Sequence, residues 1–261
     1  MPKLKLILAL TQDGASRYLA TLKDYAKFFS NQQGSFLGMK NTYQSLDETM
    51  DEPSKRGYTK VVTTVPEKLE YFIAHNDEYI KNVLSKERTN GMCASIGELI
   101  VGEESWGTFT SNELLAIKSI IEKPEFVNMI QNIPVRTETD IWEPSNLEEY
   151  AGRAIFQKPL VTQTNKTTVK EQYILQDPNL DKLKPGADYK PQIASKDKVL
   201  ELGVQTRQEF SGQWTHVQRA KALEKVIELK KAVTIALEQA NNVDAHPSIL
   251  DGKKLFGFIF S

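Results

Sequence analysis

Lys40, Thr42 and Tyr43 put a cation, a hydroxyl and an aromatic face within four residues. That mixture can hold a phosphate and stack a base. The same piece also reads as an ordinary loop pinned by one buried tyrosine. Lys166 and Thr167 lie in a Thr- and Lys-rich stretch with Lys158 and Lys170, and would add polar contacts to an anion. Ser211, Gly212 and Arg219 flank the start of a C-terminal helix, where first-turn N–H groups and the helix dipole attract negative charge. The alternative there is a plain capped helix that binds nothing. These eight positions form the candidate ligand-binding set. No catalytic group and no metal ligand is expected, because His75, His216 and His246 stand apart and His75 with Glu78 lacks further spaced ligands. The sequence contains no GxGxxG after a strand, no phosphate-loop lysine, no paired cysteines, no GxSxG and no HExxH. Its carboxylates are scattered, so no pair announces acid and base roles. The chain reads as a non-enzyme without a cofactor.

Positioning these groups falls to a few clear elements. From Thr215 to Ala240, Ala222, Val226, Leu229, Val233, Ala236 and Ala240 recur at steps of four and three, the spacing of one helix face. At about 1.5 Å per residue this helix is roughly 39 Å long and wants a partner along its length. Thr215 and Gln218 form a capping box at its start. Ala15, Leu19, Leu22, Ala26 and Phe29 repeat the pattern near the N-terminus, as one helix kinked at Gly14 or as two short ones. Between Asn31 and Gly57 the period disappears, apart from an extended piece at Met39 to Gln44. Thr59 to Thr64 predicts a strand, and Pro66 opens a helix running to about Ser85. A glycine-punctuated meander at Cys93 to Thr110 precedes a helix capped by Ser111 or Asn112. Trp142, in an acidic stretch, is either a contact site or a plug. Val161 to Val169 predicts a strand, Asp177 to Gln192 a turn-rich excursion, and Lys198 to Phe210 a strand turning at Gly203. Leu255 to Phe260 is a short apolar tail, an edge strand or a hook onto a neighbouring subunit.

The expected fold is therefore α+β, with long N- and C-terminal helices packed together against small antiparallel sheets. Its two regions, residues 1–140 and 141–261, form one compact unit.

Composition excludes several classes. With 33 basic and 34 acidic side chains, a net charge of −1 makes a nucleic-acid partner unlikely, since backbone tracking needs a strong basic excess. The single Cys93 excludes an internal disulfide framework. No stretch approaches the eighteen or so apolar residues of a membrane span, and the Leu4 to Leu10 run is too short for a secretory signal. A cytoplasmic protein with no membrane partner is expected.

Three groups of residues, in order, resemble a known family. The first is Leu6 to Leu10 before a polar helix, then Gly38 and Thr42-Tyr43-Gln44 followed by acidic residues and a proline. The second is the glycine-punctuated meander with the helix after Thr110. The third is the Thr-and-Lys strand, Phe210-Ser211-Gly212, and the helix ending Glu238-Gln239-Ala240-Asn241. Together they resemble a family of tailed-phage and actinobacterial proteins without an assigned function, from which the chain departs by a longer Asp177 to Gln192 excursion. The resemblance implies a phage gene acting in the cytoplasm of a bacterial host. Motif-free phage proteins of this size include sponges that bind a nucleotide immune signal without cleaving it, usually as homo-oligomers. The expected function is thus sequestration of a nucleotide-derived ligand in counter-defence. The rival is a phage scaffold acting through helix-mediated self-assembly.

Overall fold

A computed structural model describes residues 4–46, 51–91, 95–175 and 193–241. In chain order the elements are α1 (Leu4–Asn31), β1 (Leu37–Ser45), β2 (Gly57–Thr59), α2 (Val65–Asn90), β3 (Ile96–Val101), β4 (Glu104–Thr110), α3 (Ser111–Ile121), α4 (Pro124–Gln131), β5 (Glu143–Pro144), β6 (Phe156–Gln157), β7 (Val161–Ile174), β8 (Ile193–Ser211) and α5 (His216–Asn241). The class is α+β. The chain divides into two compact units, one of residues 1–33, 65–136 and 214–261, the other of 34–64 and 137–213. The expected boundary at residue 140 does not coincide with this partition. Each unit draws on both halves, because β1 takes its partner β8 from the last third of the chain.

In the helical unit α1 runs unbroken through Gly14. A Cβ there would come within 2.5 Å of the Tyr79 ring, so the glycine admits a close helix crossing and not the expected kink. Aromatic contacts follow along that seam, with Tyr18 stacked on Tyr79 at 5.3 Å and Tyr25 edge-on to Phe72 at 5.2 Å. Helix α2 begins with Pro66 in its first turn, where the missing N–H is of no consequence. Helix α3 is capped by Thr110, one residue earlier than expected, in a full capping box with Glu113. The apolar stripe of α5 meets β3 and α3 in a core of Leu99, Leu114, Ala232, Val233, Ala236, Leu237 and Ala240. The two long helices exist, but their partners differ. Helix α1 lies on α2 and α4, while α5 lies on β3, α3 and α4. Heptad spacing says that a helix has an apolar face and is silent on which surface covers it.

The sheet unit is six-stranded, ordered β2-β1-β8-β6-β5 with β7 also on β8. Strand β1 spans nine residues and pairs antiparallel with β8 from Leu37↔Ser211 to Ser45↔Gly203. The strand expected over Thr59 to Thr64 is confined to Gly57–Thr59. Strand β8 passes through Gly203 without a turn. Its side-chain-free position carries the Tyr43 ring, whose Cζ would lie 2.7 Å from an added Cβ. Val61, Tyr150, Ile155 and Phe210 make this unit's core. Beyond β1, β7 and β8 continue as a two-stranded ribbon, Lys166 to Ile174 against Ile193 to Glu201, with cross-strand ion pairs Lys166–Glu201 and Lys198–Glu171. The excursion at Asp177 to Gln192 and the tail at Leu255 to Phe260 lie outside the described residues.

Candidate functional site

Strand geometry separates the first three candidates. Side chains alternate across a sheet, so Lys40 and Thr42 occupy one face of β1 and Tyr43 the other. Lys40 lies over the Tyr58 ring at 6.0 Å, and the Thr42 hydroxyl bonds that of Thr206. Tyr43 is only 3% exposed, held between Gly203 and the Lys55 ammonium, 4.9 Å from its ring centre. Its ring has no free face for a base. The cation and the ring therefore do not form one grip.

The other candidates are also committed. Lys166 is ion-paired to Glu201 at 2.8 Å on the ribbon, and Thr167, opposite Leu200, points to the ribbon's other side. Ser211 is fully buried and its Oγ accepts from the Gln213 N–H at 3.2 Å. The Gly212 N–H donates to the Phe36 carbonyl at 2.8 Å, with Thr64 against its Cα. Arg219 belongs to the helical unit, where it donates to the carbonyls of Gln131 and Ile133 at 3.1 and 3.2 Å. It thus satisfies orphan acceptors at the end of α4 through one arm of its guanidinium, in the helical unit and not in the sheet unit that holds the other candidates. The capping box is as expected, with Gln218 Oε1 accepting from the Thr215 N–H at 2.8 Å.

What the sheet unit does bring together is a different set. A cleft of about 410 Å³ is lined by Gly34, Leu37, Met39, Thr59, Trp142, Arg207, Glu209 and Phe210, among others. Trp142 immediately precedes β5 and Lys158 follows β6; since β5 pairs with β6 and β6 with β8, both are delivered beside Glu209. Trp142 is fixed by its indole N–H, which donates to the Thr137 carbonyl at 3.0 Å, and by Lys158 Nζ, 5.1 Å from its ring centre. Lys158 bridges Asp140 at 2.9 Å and Glu209 at 2.7 Å, and Arg207 donates to Glu209 at 2.6 Å.

The electrostatics follow from these contacts. The hydrogen bond to Glu209, then that to Asp140, pushes the Lys158 ammonium above its ordinary pKa. Lys158 in turn holds the Glu209 and Asp140 carboxyls below the usual range, with the Thr137 hydroxyl helping at Asp140. Two cations and two carboxylates cancel, so the cleft carries no net charge. Among the described residues Glu209 takes only one arm of the Arg207 fork, which leaves that guanidinium further donors. The arrangement presents a rigid indole, an apolar floor of Leu37 and Met39, and one guanidinium. That suits a planar molecule with a single anionic group and not a polyanion. No group of His, Cys, Asp and Glu able to hold a metal ion occurs among the described residues.

Neither Arg207 nor Glu209 announces itself in sequence; the signals there are Lys158 in the Lys-bearing stretch and a tryptophan set among acidic residues. The whole chain, residues 1–261, matches a family of unknown function, DUF7873, and belongs to it. No curated protein and no solved structure matches it. No described helix is long and apolar enough to cross a membrane.

Proposed function

We propose that this protein binds and sequesters a small nucleotide-derived signal without cleaving it, using the Trp142 and Arg207 cleft of the sheet unit. The single observation that carries the reading is the fixed indole beside an unsaturated guanidinium over an apolar floor. A base stacks on Trp142 while a phosphate oxygen accepts from the free arm of Arg207. Charge balance in the cleft favours a ligand with few phosphates, such as a cyclic mono- or dinucleotide. The phage setting, and with it counter-defence in the host cytoplasm, rests on the family resemblance alone. Calorimetry with a panel of cyclic and linear nucleotides tests the proposal, with chromatography of the recovered ligand. Binding of one nucleotide, returned intact and lost in both Trp142→Ala and Arg207→Gln, supports it. Failure of every nucleotide to bind, or binding indifferent to both substitutions, defeats it.

A second reading, self-assembly as a scaffold, draws on the ribbon. Tyr173, Ile174 and Ile193 are exposed there on a two-stranded element, a form that is marginal without support. Light scattering after gel filtration separates the two: the scaffold forms large oligomers that Ile174→Lys with Ile193→Lys dissolves, and nucleotides leave its size unchanged.

A further inference from the structure

Stacking on Trp142 and a phosphate on Arg207 do not distinguish one base from another; the other charged side chain in the cleft does. Among the described residues, Arg207 and Glu209 are the charged side chains that line it. Glu209 stands opposite Met39 in the register of β1 with β8, and Arg207 lies two residues before it on β8, so all three share one sheet face. An arginine only donates hydrogen bonds, and an ionised glutamate only accepts them. Glu209 is ionised, because the hydrogen bond from Lys158 holds its carboxyl below the usual range. A carboxylate has roughly four lone-pair positions. Lys158 takes one on Oε2 at 2.7 Å and Arg207 one on Oε1 at 2.6 Å, while the side chain stays 32% exposed. Both oxygens therefore retain acceptor capacity. Lys158 Nζ, 5.1 Å from the Trp142 ring centre, links that carboxylate to the indole, so the acceptor and the stacking surface stand side by side.

We propose that the base held in this cleft is guanine, whose N1–H and 2-amino group donate to the Glu209 carboxylate; this rests on the nucleotide reading of the same cleft. Guanine is the common base with two N–H donors side by side on one edge. Adenine and cytosine set one amino group beside a ring-nitrogen acceptor, which a carboxylate repels, and uracil sets one N–H between two carbonyls. Calorimetry on the full chain tests this with the guanine, adenine and inosine forms of a 3′,5′-cyclic mononucleotide and of a cyclic dinucleotide. Inosine keeps N1–H and lacks the 2-amino group. In whichever size binds, the guanine form binds at least about tenfold tighter than the adenine form, the worth of one added hydrogen bond to a charged acceptor. The inosine form falls between them. Glu209→Gln, whose amide offers a donor as well as an acceptor, removes most of that preference while the adenine form still binds, and Trp142→Ala weakens every form. Circular dichroism first establishes that each variant is folded. Equal affinity for guanine and adenine forms in the wild-type chain, with binding lost in Trp142→Ala, overturns the guanine assignment and leaves sequestration standing. A guanine preference undiminished in Glu209→Gln also overturns it. Failure of every nucleotide to bind overturns both.

Discussion

Gly97→Ala is expected to loosen the last helix from its sheet. Gly97 alternates with Leu99 on the face of β3 that receives α5, and an added Cβ would lie 2.1 Å from the Ala236 carbonyl oxygen and 3.3 Å from the Ala240 Cβ. The obstacle is main chain within a helix, so no side-chain rotation relieves it and α5 must retreat by about 1 Å. Overpacking of this kind costs about 3 kcal/mol at its upper range. Replacing glycine within a strand returns roughly 0.5–1 kcal/mol. The net loss is about 2 kcal/mol, or a fall in Tm of about 4–8 °C for a unit of this size. Thermal melts followed at 222 nm measure it. Because the clash is with a carbonyl, adding Ala236→Gly does not rescue the variant. A Tm within a degree of wild type, or full rescue by Ala236→Gly, refutes the packing argument.

Three further outcomes are expected. Tyr43→Phe removes a buried hydroxyl that has no hydrogen-bond partner among the described residues, and so stabilises the protein by about 1 kcal/mol; chemical denaturation checks this, and a loss of stability contradicts it. Asp140 and Glu209 have depressed pKa values, so their contribution is present above the unfolded carboxylate value near 4 and is lost as pH falls through the folded values. Lys158→Met therefore lowers stability at neutral pH and flattens its acid decline, as read from denaturation midpoints across pH. Burial pushes the Tyr18 phenol up to about 12, so the stability it confers is whole below about pH 10 and is lost as pH rises through the folded value. Tyr18→Phe flattens that alkaline decline, and an unchanged alkaline profile counts against the assignment.

How far the sequence was legible depends on the distance over which each feature is decided. The capping box at Thr215, the proline start of α2 and the apolar stripe of α5 are settled within a few residues, and all three are present. The union of β1 with β8 pairs Leu37 with Ser211, and no local pattern encodes such a partner. The separation of Lys40 from Tyr43 was decidable, since an extended piece at 39–44 has a period of two and odd and even positions face opposite ways. The cleft that replaces it draws Trp142, Lys158, Arg207 and Glu209 from strands whose adjacency is itself non-local.

The partition of the chain gives ligand binding a specific consequence. The polypeptide passes between the two units four times, after Gln33, Thr64, Arg136 and Gln213. A unit assembled from separated segments cannot fold until the intervening chain is returned to it, so each unit's folding restricts the loops of the other. Unfolding is then expected as one cooperative transition, although the cores are separate. A molecule held at Trp142 protects the folded state in proportion to the logarithm of its concentration over Kd. Under that coupling it also raises the melting temperature read from α5 and α2, which it never touches. Two transitions, of which nucleotide moves only the one that reports the sheet, would show that four covalent crossings are too slack to join the units.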